Sequence, residues 1–231
     1  MSAARRARRA GRNLLIALLG AVIIAAIVVA YVAGRSTSTP SAGPTSAPAQ
    51  SSAVATSSAT ADAAPTGCLG GQKRNDAMLL TAQRSAPTST FGAVEVATAF
   101  YRWAYRFPVP TSDEIAGIGP VFVPGKAAES EASLRTGYSQ NPNPSTGIVS
   151  NGKPFYLSMA TGKWLAENGT SGGVLVGVEA SYVVDGAVSA TKTATAAFEM
   201  KWVDGGWRVA GLAKGEPSKL DAGGTTFTAG C

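Results

Sequence analysis

The side chains most suited to chemistry are two cysteines, Cys68 and Cys231, because the 231-residue chain contains no histidine. The commonest general base and the commonest metal ligand of proteins are therefore both missing. A Ser-His-Asp or Cys-His catalytic group cannot be assembled, and a zinc site would need mostly carboxylate ligands. We accordingly predict no catalytic residues, no metal site and no cofactor.

The positions of the two cysteines favour a disulfide over other thiol chemistry. A lipid-bearing cysteine would follow an apolar run directly, whereas Cys68 stands more than thirty residues beyond the apolar run 13–34. A reactive thiol would need an activating group, and none is visible near either cysteine. We predict an intramolecular bond between Cys68 and Cys231, with two unpaired or intermolecular thiols as the alternative.

A second candidate site is an apolar pocket lined by aromatic side chains and one carboxylate. Glu179 lies between apolar neighbours in a valine-rich stretch, so it is a candidate pocket acid. A solvent-exposed strand face explains this glutamate equally simply, and aromatics at helical or strand spacing are commonly plain core. The candidate lining residues are Tyr101, Trp103, Tyr105, Tyr156, Glu179 and Trp202.

The N-terminal part of the chain predicts a membrane anchor. Residues 13–34 contain no charged side chain, and about 20 apolar residues make a helix of about 30 Å, which spans a bilayer core. Only Arg35 follows this run, whereas five arginines precede it: Arg5, Arg6, Arg8, Arg9 and Arg12. The asymmetry predicts a cytoplasmic basic arm at 1–12, a transmembrane helix at 13–34 that interacts with membrane lipid, and an extracytoplasmic remainder. A cleaved signal peptide is the alternative.

Residues 35–66 are rich in Ser, Thr, Ala and Pro, which predicts a disordered linker. Six of the twenty Lys and Arg residues precede residue 36, so 67–231 carry fourteen basic and thirteen acidic residues. Such a balanced charge is not that of a nucleic-acid-binding domain.

Residues 67–231 predict an α+β domain, because helical patterns precede strand patterns without alternating with them. Helices are predicted at 75–83, 87–108, 111–119 and 125–140. In the second, Val96, Phe100 and Trp103 share one face, and Arg102 and Arg106 lie on another side. Strands are predicted at 172–186 and, as a long hairpin, at 191–212.

The aromatic helix "AVEVATAFYRWAY" and the hairpin "AAFEMKWVDGGWRVAGL" resemble those of the nuclear transport factor 2-like cone fold. The resemblance implies N-terminal helices packed on a curved antiparallel sheet. With an anchor and a linker, the layout is similar to bitopic scaffold subunits of conjugation and type IV secretion machines. It also resembles membrane-anchored accessory proteins of lipid importers.

These resemblances lead to the expectation of a single-pass cell-membrane protein whose outer domain is a scaffold for other envelope proteins, without enzymatic activity. Homo-oligomerisation is compatible with this role. The alternative is a cone-fold domain that binds or processes a small apolar ligand, and a third reading is an envelope spacer without a specific ligand. The sequence alone leaves these functions open.

Overall fold

A computed structural model describes residues 63–169 and 172–231, and the structural statements below concern this part of the chain. The predicted basic arm at 1–12, the transmembrane helix at 13–34 and the linker up to residue 62 lie outside it. Within the described ranges, no helix is both long and apolar enough to cross a membrane.

The domain is α+β, as predicted, with its major helices before its major strands. The N-terminal helices are α1 (Asp76–Ser85), α2 (Thr90–Ala104), α3 (Ser112–Gly117) and α4 (Ala127–Gln140), with a 3₁₀ turn at Gly119–Val121. The strands are β1 (Phe155–Asn168), β2 (Val174–Val184), β3 (Ala187–Val203), β4 (Gly206–Ala213) and β5 (Thr225–Thr226), and helix α5 (Pro217–Gly223) lies between β4 and β5.

Local hydrogen bonds explain where the helices begin. The Asn75 side chain accepts from the Met78 amide at 3.0 Å and caps α1, and Thr111 and Glu114 form a capping box at the start of α3. Helix α2 ends at Ala104, before the predicted end, because Phe107 pairs with Phe155 of β1 through two backbone hydrogen bonds. Pro108 also disfavours helix at the residue before it.

The strands form one antiparallel sheet in the order β4-β3-β2-β1-β5. The hairpin between β3 and β4 places Trp202 opposite Trp207. Asp204 and Gly205 between them have φ of 50° and 73°, which suits a tight hairpin turn. A register shift between Ser158 and Lys163 interrupts the pairing of β1 with β2.

Helix α2 packs on one face of this sheet and forms the centre of the core. Val96, Phe100 and Trp103 are buried, as their common face predicts. The Phe100 ring lies 5.7 Å from that of Phe198 in β3, centroid to centroid. From β2, the residues at alternate positions point into the same core: Val176, Val178, Ala180 and Tyr182.

The opposite face of the sheet is covered by the chain between β4 and β5. Because these two strands lie at opposite ends of the strand order, residues 214–224 must pass across the sheet. Leu220 of α5 is buried and lies 3.8 Å from the position that a Cβ would take on Gly177 in β2. The tail then follows β1, where the Met159 amide donates to the Cys231 carbonyl at 3.1 Å.

Candidate functional site

The predicted disulfide joins the two ends of the described domain. Cys68 and Cys231 are bonded with a Cα–Cα distance of 5.4 Å, within the usual range for a disulfide. The chain turns toward this bond at Gly67, Gly70 and Gly71, where φ is 75°, 85° and 99°. These values explain the glycines, because other residues adopt positive φ at a cost.

Residues 66–71, the clasp segment, are also held by a buried carboxylate that the sequence did not single out. Glu95 of α2 is 7 % exposed. It accepts hydrogen bonds from the Thr66 amide (2.5 Å), the Thr66 hydroxyl (2.8 Å), the Gly67 amide (3.2 Å) and the Leu69 amide (3.3 Å). One carboxylate thus satisfies three backbone amides next to Cys68. Thr66 was assigned to the linker, so the hydrogen-bonded chain begins slightly before the predicted boundary at residue 67.

Arg102 holds the carbonyls of the same segment. It lies seven residues after Glu95, two helical turns along the same side of α2, and is fully buried. Its guanidinium donates to the Gly67 carbonyl at 3.3 Å and to the Gly71 carbonyl at 2.8 Å. The pKa of Arg102 is lowered to about 10, mainly by burial and in addition by the charge of nearby Arg74, while Glu95 acts in the opposite direction.

Three of the candidate pocket residues, Tyr101, Trp103 and Tyr105, lie in the interior, but they pack against other side chains. The Tyr101 ring lies 5.5 Å from that of Tyr105 and 5.7 Å from that of Phe198, between centroids. The Tyr105 hydroxyl donates to the Pro144 carbonyl at 2.6 Å and lies 3.0 Å from the Tyr182 hydroxyl. These contacts are those of a filled aromatic core. Burial raises the pKa of Tyr101 and of Tyr105, so both phenols stay protonated at neutral pH.

The other candidates do not join this group. Tyr156 alternates with the core residues Phe155 and Leu157 and therefore faces the opposite side of the sheet. Trp202 lies at the end of β3, is 39 % exposed, and makes an edge contact with Trp207 at 5.6 Å between ring centroids.

Glu179 also faces away from the aromatic core. It pairs across the strands with Lys163 and Thr195, and its neighbours at 178 and 180 carry the core side chains. Burial raises the pKa of Glu179, Lys163 lowers it and Asp221 raises it. Glu179 therefore lies on one face of the sheet, whereas most aromatic residues of the predicted pocket lie on the other face.

A small cavity of about 30 Å³ lies on the opposite face, beside α5. It is lined in part by Leu175, Gly177 and Leu220. Its volume corresponds to about one water molecule, so it cannot hold a lipid-sized ligand. Among the described residues, no group of three or more Asp, Glu or Cys side chains is arranged to hold a metal ion.

Comparisons with known proteins add no family assignment. No protein-family model matches the chain, and neither a curated protein nor a solved structure is significantly similar to it. The function must therefore be inferred from the residues themselves.

Proposed function

We propose that this chain is a membrane-anchored extracytoplasmic interaction module, a scaffold that binds other proteins rather than a small molecule. The observation that carries the proposal is the filled aromatic interior around Tyr101 and Tyr105. Because these rings occupy the core, the proposal places recognition on the surface of the domain. The proposal includes the nuclear transport factor 2-like cone and a place in an envelope assembly such as a conjugation or secretion machine.

The disulfide supports an extracytoplasmic location. Bonds such as Cys68–Cys231 persist in oxidising compartments and are rare in the cytosol. The apolar run 13–34 and the five arginines before it support an N-terminus in the cytoplasm and a domain outside. The disulfide and the arginine-flanked apolar run lie in different parts of the chain, and both support a domain outside the cytoplasm.

The alternative, a cone that binds a small apolar ligand, has less support. It would use Glu179 together with Tyr101 and Tyr105, whereas the carboxylate lies on the opposite face of the sheet from the two tyrosines. Around Tyr101 and Tyr105, the aromatic rings are in contact with one another, which leaves little room at that place for a ligand.

The test is site-specific photo-cross-linking of the full-length protein in native membranes. A photoreactive residue replaces Leu212 or Val188, which are 44 % and 47 % exposed, and Glu129 on α4, also exposed, is a third position. We expect the same partner protein, identified by mass spectrometry, from at least one position in repeated preparations. Recovery of monomer alone from all three positions would contradict the proposal.

Protease treatment of cells with an intact cell membrane tests the topology separately. The outer domain is expected to be digested, and protection of the whole chain would contradict the proposed orientation.

A further inference from the structure

A cluster of arginines lies near the C-terminal end of α2, beside the clasp segment. It comprises Arg74, Arg102 and Arg106. Burial lowers the pKa of Arg74, Tyr156 raises it and the charge of Arg106 lowers it further, and Arg74 in turn lowers the pKa of Arg102. The positive charge of Arg74 therefore acts against the charges of both Arg102 and Arg106.

Two carboxylates balance this cluster, and both are fully engaged. Glu114 binds Arg106 with both of its oxygens at 2.7 Å and also accepts from the Thr111 amide at 2.8 Å. Glu95 is occupied by the clasp segment. Within the described part of the chain, Arg74 has no ion-pair partner.

Arg74 is nevertheless held in a fixed orientation. Its guanidinium carbon lies 3.7 Å from the centroid of the Tyr156 ring. Nη1 donates to the Gln72 carbonyl at 3.1 Å and Nη2 to the Leu157 carbonyl at 3.4 Å, whereas Nε is buried without a hydrogen-bond partner among the described residues. Because a guanidinium carries five N–H donors, each Nη has one further N–H for which no hydrogen bond is found among the described residues.

The partial burial of this cation is offset by two carbonyl oxygens and the Tyr156 ring, but by no anion. The same geometry suits recognition, because an oriented planar fork binds a carboxylate through two parallel hydrogen bonds. Arg and Tyr are also among the residues that contribute most to protein interfaces.

We propose that Arg74, stacked on Tyr156, is a binding site for a carboxylate side chain in an acidic segment of a partner protein. Lys73, which is exposed beside it, adds a second positive charge. A membrane surface fits less well, because polybasic lipid-binding segments use about four to eight basic residues, and here only Lys73 and Arg74 are available. The inference rests on the proposed function as an interaction module and names one of its contact points.

The test uses the full-length protein in a non-ionic detergent at low salt. A capped hexapeptide of alternating Glu and Gly is titrated while the arginine side-chain N–H signals are followed by NMR after arginine-selective ¹⁵N labelling. The matched peptide with Gln in place of Glu separates charge from backbone contacts. The protein variants are Arg74→Met, which keeps the apolar contact with Tyr156, Arg74→Lys, which keeps the charge, and Arg84→Met, which removes an exposed arginine of α1 as the control.

The wild type is expected to bind the Glu peptide, and Arg74→Met to bind it at least about tenfold more weakly, the effect of one charge-assisted hydrogen bond. Arg74→Lys should bind at an intermediate level, Arg84→Met as the wild type does, and the Gln peptide not detectably. Because Arg74→Met also loses the hydrogen bonds to the Gln72 and Leu157 carbonyls, circular dichroism checks that it is folded at the temperature of the titration.

Two results would overturn the proposal. They are equal binding by wild type and Arg74→Met, and Arg74-dependent binding of inorganic phosphate or phosphatidylglycerol vesicles without binding of the Glu peptide. Because peptide binding is measured on purified protein, its failure is distinguishable from failure of the cross-linking experiment.

Discussion

Replacement of Glu95 by alanine removes the acceptor that holds the clasp segment. Three backbone amides, of Thr66, Gly67 and Leu69, lose their partner. The buried Arg102 also loses the carboxylate on its side of α2. Removing one partner of a buried charged network costs about 3–5 kcal/mol, because the remaining groups stay desolvated and unpaired.

Adding the contributions of the individual hydrogen bonds would give a larger loss of unfolding free energy, since each bond to a charged group contributes about 1.5–3 kcal/mol. The four bonds share one carboxylate and are therefore not additive, so we expect a loss of about 3–5 kcal/mol. For a domain of this size that loss lowers the unfolding temperature by about 6–20 °C.

The assay is guanidinium unfolding of the full-length oxidised protein in non-ionic detergent, followed by tryptophan fluorescence. The midpoint should fall with little change in slope, because the change affects stability rather than the surface exposed on unfolding. Glu129→Ala is the control: this side chain is 69 % exposed and pairs only with Lys126 on the surface, so its loss should cost less than about 0.5 kcal/mol. A loss below about 1 kcal/mol for Glu95→Ala would refute the reasoning.

Three further predictions concern the disulfide, the sheet face and the hairpin. Cys231→Ser should lower the free energy of unfolding by up to about 5 kcal/mol in the chain-entropy description, since the bond spans 163 residues; an unchanged denaturation midpoint would contradict this. Glu179→Gln should stabilise the protein at neutral pH, because the raised pKa means that the folded state disfavours the charged carboxylate. As the pH falls through this raised pKa, Glu179 of the wild type becomes protonated and the stability advantage of Glu179→Gln should shrink. A stability advantage that grows as the pH falls would contradict the assigned direction of the pKa shift. Trp207→Ala should cost about 3–5 kcal/mol because the side chain is buried and donates to the Pro87 carbonyl, whereas Trp202→Ala, at a 39 % exposed position, should cost much less; equal losses in thermal unfolding would refute the difference.

Much of the fold follows from local patterns in the sequence. The cap at Asn75, the capping box at Thr111 and the hairpin turn at Asp204-Gly205 depend on residues close together in the chain, and all three are present. The alternation in β3 correctly predicts that Phe198 and Met200 are buried. It does not predict the exposure of Trp202, because alternation tells which face a residue occupies but not how far the helices cover that face.

The candidate pocket was less predictable because it required knowing which elements share a face. Tyr156 and Glu179 are separated from the aromatic core by the sheet itself. The side of a strand on which each residue lies depends on the register of the whole sheet. The shift in β1 between Ser158 and Lys163 includes Gly162, where a Cβ would lie 2.6 Å from the Glu179 carbonyl oxygen. A glycine inside a strand indicates such an irregularity, but it does not specify how the register changes.

Glu95 and Arg102 show why a single apolar stripe was too simple a description of α2. Twelve of the fifteen residues in this helix are buried, because the sheet covers one side and the clasp segment covers another. A helix buried on most sides can carry a charge only where a polar partner reaches it. Two charged residues seven positions apart in an otherwise uncharged helix therefore indicate a second packing surface, made of backbone groups rather than side chains. The glycine-rich residues 66–71 supply those groups, and their lack of periodicity concealed this contact.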